Sequence, residues 1–165
     1  MFLYDKFFGE FGNTVGQLLV TRDDFEDDER RRNLHNTFMK LFEYGAIPVV
    51  NENDSVAVEE IVFGDNDSLS AHVAKLVEAD ALIILTDIDG LFSANPREDE
   101  SARLISSVDR ITDEILALAG GSGTSRGTGG MITKLHAGEI ATSAGIDTVV
   151  MNGSDPEDIY KLLDG

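Results

Sequence analysis

AIPVVNEND, residues 46–54, changes abruptly from apolar to polar side chains. AIPVV has the apolar and β-branched side chains that are typical of a buried strand, whereas the NEND that follows it is entirely polar. The same change recurs twice, where ALIIL precedes TDIDG at residues 86–90 and TVVM precedes NGSDP at residues 152–156. Each case predicts a buried strand that ends at a polar turn.

The rest of the chain alternates between strand and helix patterns. Strands are predicted at residues 14–21, 46–50, 81–85 and 148–151, and helices at residues 26–44, 68–79, 112–119, 131–144 and 156–163. A further β-rich stretch, residues 56–63, ends in GDND at residues 64–67. This alternation predicts an α/β fold with a mostly parallel sheet covered on both faces. Because ligands bind beyond the carboxyl ends of such strands, we expect the four polar motifs to form the rim of an active site.

Composition limits the possible partners and chemistry. The chain has 165 residues, the length of one domain, and a formal net charge of −18. Such an acidic surface repels nucleic acids and anionic membranes, so we expect neither as a partner. The lack of cysteine excludes disulfides, thiolate nucleophiles and cysteine-type zinc sites. We expect a cytoplasmic protein, because MFLYDKFFGEFG does not have the pattern of a signal peptide and no apolar run reaches ~18 residues.

GTGGMITK, residues 127–134, places small residues and a lysine at the start of a helical pattern. It lacks the spacing of a Walker A loop and of a dinucleotide fingerprint. Glycines nevertheless let the backbone approach a phosphate, and the N-terminus of a helix adds a partial positive charge. Lys134, in the first predicted turn, adds a full charge. The alternative is a flexible connection in which Thr128 caps the helix.

The other motifs also allow two interpretations each. In GDND, Asp67 or Ser68 caps a helix, or a carboxylate orients lysines or a metal at a phosphoryl centre. NEND either forms an ordinary polar turn or provides a set of oxygen acceptors for a ligand with an ammonium group. TDIDG is either a turn with Gly90 at positive φ or a nucleotide site with Thr86 and Asp87. The three histidines are scattered over helices, and no spacing indicates a metal site.

Two helices are predicted to have apolar faces. The face of the first helix consists of Phe2, Leu3, Phe7, Phe8 and Phe11. It either packs on the sheet of its own chain or contacts a second subunit, and Gly12 ends the helix. The helix over residues 26–44 is predicted to end at Gly45 and to bury Leu34, Phe38, Leu41 and Phe42.

The segments VVNENDSVAVEEIVFGDNDSLSA, LIILTDIDGLFSANPR and GTGGMITKLHAGEIATSAGIDTVVMNG together resemble glutamate 5-kinases of the amino acid kinase superfamily. The opening LYDKFFGEFGNTVGQLLVTRDDF resembles the segment that precedes these motifs in that family. The resemblance covers essentially the whole chain and implies a three-layer αβα sandwich with a mainly parallel central sheet. It also implies one amino acid kinase domain over residues 1–165, without the family's N-terminal part, last strand and PUA domain.

The resemblance implies transfer of the γ-phosphoryl group of ATP, bound with Mg²⁺, to the side-chain carboxylate of L-glutamate. The product is L-glutamyl 5-phosphate, in the first step of proline synthesis. By position, Asp54 and Asn66 match the glutamate-binding residues, and Asp67 matches the aspartate that orients the catalytic lysines. Thr86 and Asp87 match residues of the nucleotide site.

The ATP loop of the family matches Thr128, Gly129, Gly130, Met131, Ile132, Thr133 and Lys134. In the family, the lysine at the position of Lys134 stabilises the transferring phosphoryl group. These matches favour the phosphate-loop interpretation of residues 127–134. The resemblance also implies a homo-oligomer, and feedback inhibition by proline near the glutamate site, which here is the region 54–67.

The chain departs from the family at its N-terminus, where members have a strand with a lysine and a glycine/serine loop. One of the two phosphate-stabilising lysines therefore has no counterpart in position. Two alternatives to a glutamate kinase follow. One is a sibling kinase with another acceptor, such as acetylglutamate, aspartate or uridylate, and the other is a fragment that binds nucleotide or amino acid without turnover.

Overall fold

The structure is a computed structural model that describes residues 1–56, 63–96, 98–119 and 129–164. In these ranges the chain forms seven helices and four strands. The chain divides into two compact units, Met1–Ala79 and Asp80–Gly165, which are described separately below. The described strands pair as two parallel two-stranded sheets, one in each unit.

The first unit contains one parallel strand pair with a helical crossover. Its elements are α1 (Phe2–Glu10), β1 (Thr14–Val20), α2 (Asp23–Glu26), α3 (Asp28–Glu43), β2 (Ala46–Glu52) and α4 (Asn66–Leu76). The register runs from Thr14 opposite Ala46 to Val20 opposite Glu52, so both strands end at the same edge. Gly45, at φ 67°, ends α3 as predicted, because glycine adopts the left-handed conformation at little cost.

The core of the first unit lies between the strands and helices α2 to α4. Val20, Phe25 and Leu69 are buried together, with Leu34 and Val50 packed against them. The predicted core face of α3 is correct for Phe38, which is only 1% exposed. Its neighbour Leu41 lies so close to β1 that a Cβ on Gly16 would stand 2.8 Å from Leu41 Cδ2.

Phe42 is the exception on α3, because it is 47% exposed. It lies in the last turn of the helix, where its ring contacts Phe38 with 6.2 Å between the centroids. The rest of the Phe42 ring faces solvent. The prediction that Phe42 is buried is therefore wrong, since the helical period identifies a face but does not show how far along the helix that face is covered.

Helix α1 does not bury its apolar face in this chain. None of its residues is buried, and Phe2 and the C-capping Phe11 are 77% and 84% exposed. The helix ends as predicted, with Gly12 at φ 74°. Helix α1 contacts β1, with Phe8 half-buried, so the described chain covers only part of this face. What remains is an exposed apolar surface beside β1.

The second unit repeats the parallel strand pair with its own helices. Its elements are β3 (Ala81–Thr86), α5 (Asp113–Ala119), α6 (Gly129–Ser143), β4 (Asp147–Asn152) and α7 (Asp158–Asp164). The register runs from Ala81 opposite Asp147 to Thr86 opposite Asn152. Helix α6 packs against both strands. At this contact, a Cβ on Gly138 would stand 3.7 Å from Thr148 Cγ2, which shows how closely helix and strand approach.

The observed element boundaries differ from the predicted ones by up to three residues, at strand ends as well as at helix ends. α4 and α6 each begin two residues earlier than predicted, at Asn66 and Gly129. The predicted helix over 26–44 is split into α2 and α3, which are separated by Asp27. Most of the predicted β-rich stretch, residues 57–62, lies outside the described residues. Within the described ranges, no helix is both long and apolar enough to cross a membrane.

Candidate active site

NEND lies at the carboxyl end of β2. Asn51 and Glu52 belong to the strand, and the Asn53 N–H continues the ladder by donating to Val20 O at 2.7 Å. Ser55 Oγ donates to Asn53 Oδ1 at 2.7 Å, so Asn53 is part of a local turn. Asp54, one of the predicted glutamate-binding residues, is exposed at this end of the strand pair.

GDND forms the entry to α4, and Asp65 caps the helix. Asp65 Oδ1 accepts the Ser68 N–H at 2.7 Å, and its other oxygen accepts the Ser68 hydroxyl at 2.9 Å. The prediction that Asp67 or Ser68 is the N-cap is therefore wrong, because the helix begins earlier, at Asn66. Asn66 and Asp67 instead occupy its first turn, where Asn66 is exposed and Asp67 is half-buried.

The structure joins NEND to GDND. Glu52 Oε1 accepts the N–H of Phe63, the residue directly before GDND, at 2.9 Å. Leu69 of α4 is buried with Val20, the last residue of β1, so the start of α4 lies at the carboxyl edge of the strand pair. The three predicted residues of this unit, Asp54, Asn66 and Asp67, thus lie on two motifs at the same edge.

The two motifs contribute four carboxylates, and their roles differ. Glu52 and Asp65 use carboxylate oxygens on backbone N–H groups, of Phe63 and Ser68 respectively. Asp54 and Asp67 are the two acids that the resemblance assigns to substrate and lysine. Such a set of oxygen acceptors suits a ligand with an ammonium group and repels a phosphate unless a cation is present.

A small aromatic cluster supports the entry to GDND. The ring of Phe63 meets that of Phe25 edge-on, with 5.3 Å between centroids, and the ring of His72 lies 5.3 Å from Phe63. Burial lowers the pKa of His72 below its usual 6.5, and the charges of Lys75 and Arg22 lower it further, while Glu26 opposes them. The neutral form of His72 is therefore favoured, and its ring packs with those of Phe25 and Phe63.

In the second unit, TDIDG and NGSDP surround an open depression of about 620 Å³ at the carboxyl ends of β3 and β4. Its lining consists of Leu85, Thr86, Asp87, Asn152, Gly153 and Ser154. The predicted nucleotide residues Thr86 and Asp87 are thus placed side by side in a concave surface. Gly90 has a φ of 147°, which agrees with the prediction of a positive-φ glycine in this turn.

Asn152 holds the two motifs of this depression together. Its Nδ2 donates to Asp89 Oδ1 at 2.9 Å, and its Oδ1 accepts the Ser154 N–H at 2.9 Å. The Gly153 N–H donates to Thr86 O at 2.8 Å, which extends the β3–β4 ladder by one bond. NGSDP was predicted to lie on the rim, but no residue in it was assigned to the site. The strand register, which pairs Thr86 with Asn152, is what identifies Asn152 and Ser154.

The start of α6 lies beside the same edge of the second unit. Met131 is buried together with Leu91, and Ile88 of TDIDG packs against this cluster. Because Met131 is only 7% exposed, its side chain belongs to the core, and only its backbone remains for a ligand. The N-terminus of a helix carries a partial positive charge, and an anion can be stabilised there.

The predicted ATP loop is only partly described. Gly129 and Gly130 form the first turn of α6, and Thr133 Oγ donates back to Gly130 O at 2.9 Å. Lys134 lies in the second turn rather than the first, as a consequence of the early start at Gly129, and it is half-buried. Thr128 lies outside the described residues. Within the described ranges, no group of three or more His, Asp or Glu side chains is arranged to hold a metal ion.

Comparison with known sequences identifies the chain's relatives. Residues 1–152 match the model of the amino acid kinase family. The chain is 50% identical to the glutamate 5-kinase of Clostridium perfringens, over 100% of this chain and 63% of that protein. It is 54% identical to the glutamate 5-kinase of Caldanaerobacter subterraneus, over 99% of this chain and 44% of that protein. The resemblance to glutamate 5-kinases is thus confirmed, and the chain spans only part of the length of these relatives.

Two solved structures have a similar fold. Isopentenyl phosphate kinase from T. acidophilum matches with a TM-score of 0.63 and 21% identity, over 93% of this chain and 57% of that one. UMP kinase from Ureaplasma parvum matches with a TM-score of 0.62 and 16% identity, over 98% of this chain and 61% of that one. At these identities the likeness concerns the fold alone, and it confirms the predicted α/β kinase fold.

Proposed function

The chain belongs to the amino acid kinase family, and we propose that its protein transfers the γ-phosphoryl group of Mg-ATP to the side-chain carboxylate of L-glutamate. The product is L-glutamyl 5-phosphate, and the reaction is the first step of proline synthesis in the cytoplasm. One observation carries the proposal. The depression at Thr86 and Asp87, with the start of α6 beside it, offers a nucleotide site in a chain 50% identical to a protein named glutamate 5-kinase.

The second unit is proposed to bind the nucleotide. Thr86 and Asp87 contact the nucleoside in the open depression between TDIDG and NGSDP. The backbone of Gly129 and Gly130 and the N-terminus of α6 hold the phosphates, because the helix dipole places partial positive charge at this end. Lys134, one turn further along the helix, adds a positive charge for the transferring phosphoryl group.

The first unit is proposed to bind the acceptor. Asp54 and Asn66 offer oxygen atoms to the α-ammonium group of glutamate, at the edge where NEND and GDND are joined. Asp67, in the first turn of α4, orients the lysines of the phosphoryl site. The capping role belongs to Asp65, which supports the assignment of Asp67 to chemistry rather than to helix capping.

The proposed phosphoryl transfer requires mainly that the two reactants are aligned and that their negative charge is stabilised. A carboxylate that attacks a phosphate brings together two anions, so the approach must be offset locally. In a chain with a net charge of −18, the overall field does not provide this, and the helix N-terminus and Lys134 must. Mg²⁺ enters as part of the nucleotide substrate, since this ion is commonly held by substrate phosphates, waters and one or two carboxylates.

Two further properties are proposed together with this activity. Proline binds as a feedback inhibitor in the region 54–67, where acceptor oxygens for its amino group are available.

The protein forms a homo-oligomer through the exposed apolar face of α1. On an otherwise acidic chain this helix has little net charge, because the positive charge of Lys6 partly offsets the negative charges of Asp5 and Glu10. Light scattering tests the oligomer, because Phe7→Glu would then lower the measured mass.

The activity is tested by ADP release from Mg-ATP by the full-length protein, with an acceptor panel. L-Glutamate is compared with acetylglutamate, aspartate and uridylate at equal concentration. Turnover with glutamate alone supports the proposal. Turnover with another acceptor instead would assign the protein to a sibling kinase, and nucleotide binding without ADP release would reject catalysis.

A further inference from the structure

We propose that Glu52 is a positioning residue that holds GDND against the end of β2 and thereby sets the affinity for the acceptor substrate. This inference rests on the proposed function, since it concerns the acceptor half of that site. None of the roles given above to Asp54, Asn66 and Asp67 involves Glu52. Its effect is instead exerted through the backbone of Phe63.

The hydrogen bond of Glu52 joins two parts of the chain that are distant in sequence. Glu52 is the last residue of β2, and its half-buried carboxylate accepts the N–H of Phe63 at 2.9 Å, eleven residues further along. A bond between a carboxylate and a backbone N–H is charge-assisted and therefore stronger than a neutral one. Because β2 pairs with β1 up to Glu52, the backbone of Glu52 is held in place by the strand pair.

The position of Phe63 determines the position of GDND, which follows it directly in the chain. Its ring is held by Phe25 and His72, each with 5.3 Å between centroids, so both its backbone and its side chain are located. The next residue, Gly64, has a φ of 81° and turns the chain into the cap at Asp65. The first turn of α4, with Asn66 and Asp67, follows directly. A shift of Phe63 therefore shifts the residues proposed to bind and orient the substrates.

Two neighbouring polar groups have other partners in the described structure. Asn53 and Ser55 bond to each other in the turn after β2. Asp65 is occupied with Ser68 at the start of α4. The bond from Glu52 to the Phe63 N–H is thus separate from the turn after β2 and from the cap of α4.

The test compares Glu52→Gln and Glu52→Ala with the wild type in the full-length protein. Gln keeps an oxygen that can accept the Phe63 N–H, whereas Ala does not. We expect Ala to raise the KM for the acceptor about tenfold, with the KM for ATP unchanged, and Gln to stay within about threefold of the wild type. Glu43→Ala, at an exposed acid near the end of α3, is the matched control and should change neither KM.

Amide hydrogen exchange gives a second readout that does not need turnover. In Glu52→Ala, the amides of Phe63 and Ser68 should exchange faster, because the first loses its acceptor and the second depends on the displaced Asp65 cap. In Glu52→Gln both should remain protected. A purely stabilising role would instead lower the melting temperature and raise exchange throughout the unit.

The outcomes separate this inference from the proposed function. If Gln impairs acceptor binding as much as Ala does, Glu52 acts through its charge on the ligand, and the positioning role is rejected. An unchanged acceptor KM in Glu52→Ala also rejects it. A wild type without turnover contradicts the proposed function alone. Exchange at Ser68 then decides the positioning role, which fails if Glu52→Ala leaves that amide protected.

Discussion

The two units end their parallel strand pairs in the same way but hold their polar motifs together by different means. In the first unit a carboxylate, Glu52, bonds to the backbone of Phe63, whose ring packs in a half-buried aromatic cluster. In the second unit the amide side chain of the half-buried Asn152 bridges Asp89 and Ser154. The first arrangement depends on packing, whereas the second depends on exposed hydrogen bonds.

This difference matches the charges that each unit is proposed to bind. The edge of the first unit carries Glu52, Asp54, Asp65 and Asp67, which suit an ammonium group. The second unit has the N-terminus of α6, where Met131 packs with Leu91 and Ile88, and Lys134 lies in the next turn; both suit phosphates. Changes in the first unit should therefore affect stability and acceptor binding together, and changes in the second should affect nucleotide binding or the chemical step with less effect on stability.

The largest expected effect concerns Lys134. Lys134→Ala should lower kcat on the order of 10²–10³-fold, because removing one group that stabilises transition-state charge has about this cost. The KM for glutamate should change much less. Lys161→Ala, at an exposed lysine of α7, is the control and should leave kcat unchanged. An unchanged kcat in Lys134→Ala would show that α6 does not serve the transition state.

Removing a ring from the aromatic cluster of the first unit should cause a large loss of stability. Phe25 is buried with Val20 and Leu69 and supports the ring of Phe63. Phe25→Ala should lower the free energy of unfolding by about 3–5 kcal/mol, as measured by urea denaturation, because it leaves a cavity. Phe42→Ala, at the exposed end of α3, should cost much less. Equal losses in both variants would contradict the described core.

The stability of the same aromatic cluster should depend on pH through His72. Because burial lowers the pKa of His72 in the folded protein, the unfolded state binds more protons below about pH 6.5. The stability contributed by neutral His72 is complete above that pH and is lost as the pH falls towards the folded pKa. Urea midpoints between about pH 8 and about pH 5 should fall less steeply in His72→Gln than in the wild type.

His35→Gln provides the comparison for this titration. His35 lies in α3, outside the cluster of Phe25, Phe63 and His72. Comparing the two variants separates the effect of the aromatic cluster from that of a His-to-Gln change elsewhere in the unit. A slope that is the same in His72→Gln and in the wild type would remove His72 as its cause.

The smallest effect is expected at Asn152. Asn152→Asp removes the donor to Asp89 and places a second carboxylate beside it, so the depression should open. The KM for ATP should rise about threefold, since a single exposed hydrogen bond has a modest net value. The melting temperature should stay close to that of the wild type. Asn152→Ala separates the lost bridge from the added charge, and a higher glutamate KM in either variant would contradict the division between the units.

Much of this arrangement could be predicted from the sequence, because it depends on local signals. The strand ends at NEND and TDIDG follow from the change from apolar to polar residues to within two residues, since β2 ends at Glu52 and β3 at Thr86. Gly12, Gly45 and Gly90 are recognisable as positive-φ positions. These features need only a few neighbouring residues to be specified.

Other features depend on what the chain meets in three dimensions and could not be predicted in this way. GDND has two aspartates near the start of a helix, and the choice of Asp65 as the cap depends on where α4 begins. The bond from Glu52 to Phe63 spans eleven residues and has no local signal. The exposure of Phe42 and of the face of α1 depends on which element covers them, and periodicity does not provide this.

The most direct test of the division between the units is to measure both KM values in two variants of the full-length protein. Asp54→Ala, in the first unit, should raise the KM for glutamate and leave the KM for ATP unchanged. Asp87→Ala, in the depression of the second unit, should raise the KM for ATP and leave the KM for glutamate unchanged. If either variant raised both values alike, the acceptor and the nucleotide would not be divided between the two units, and the account would be wrong.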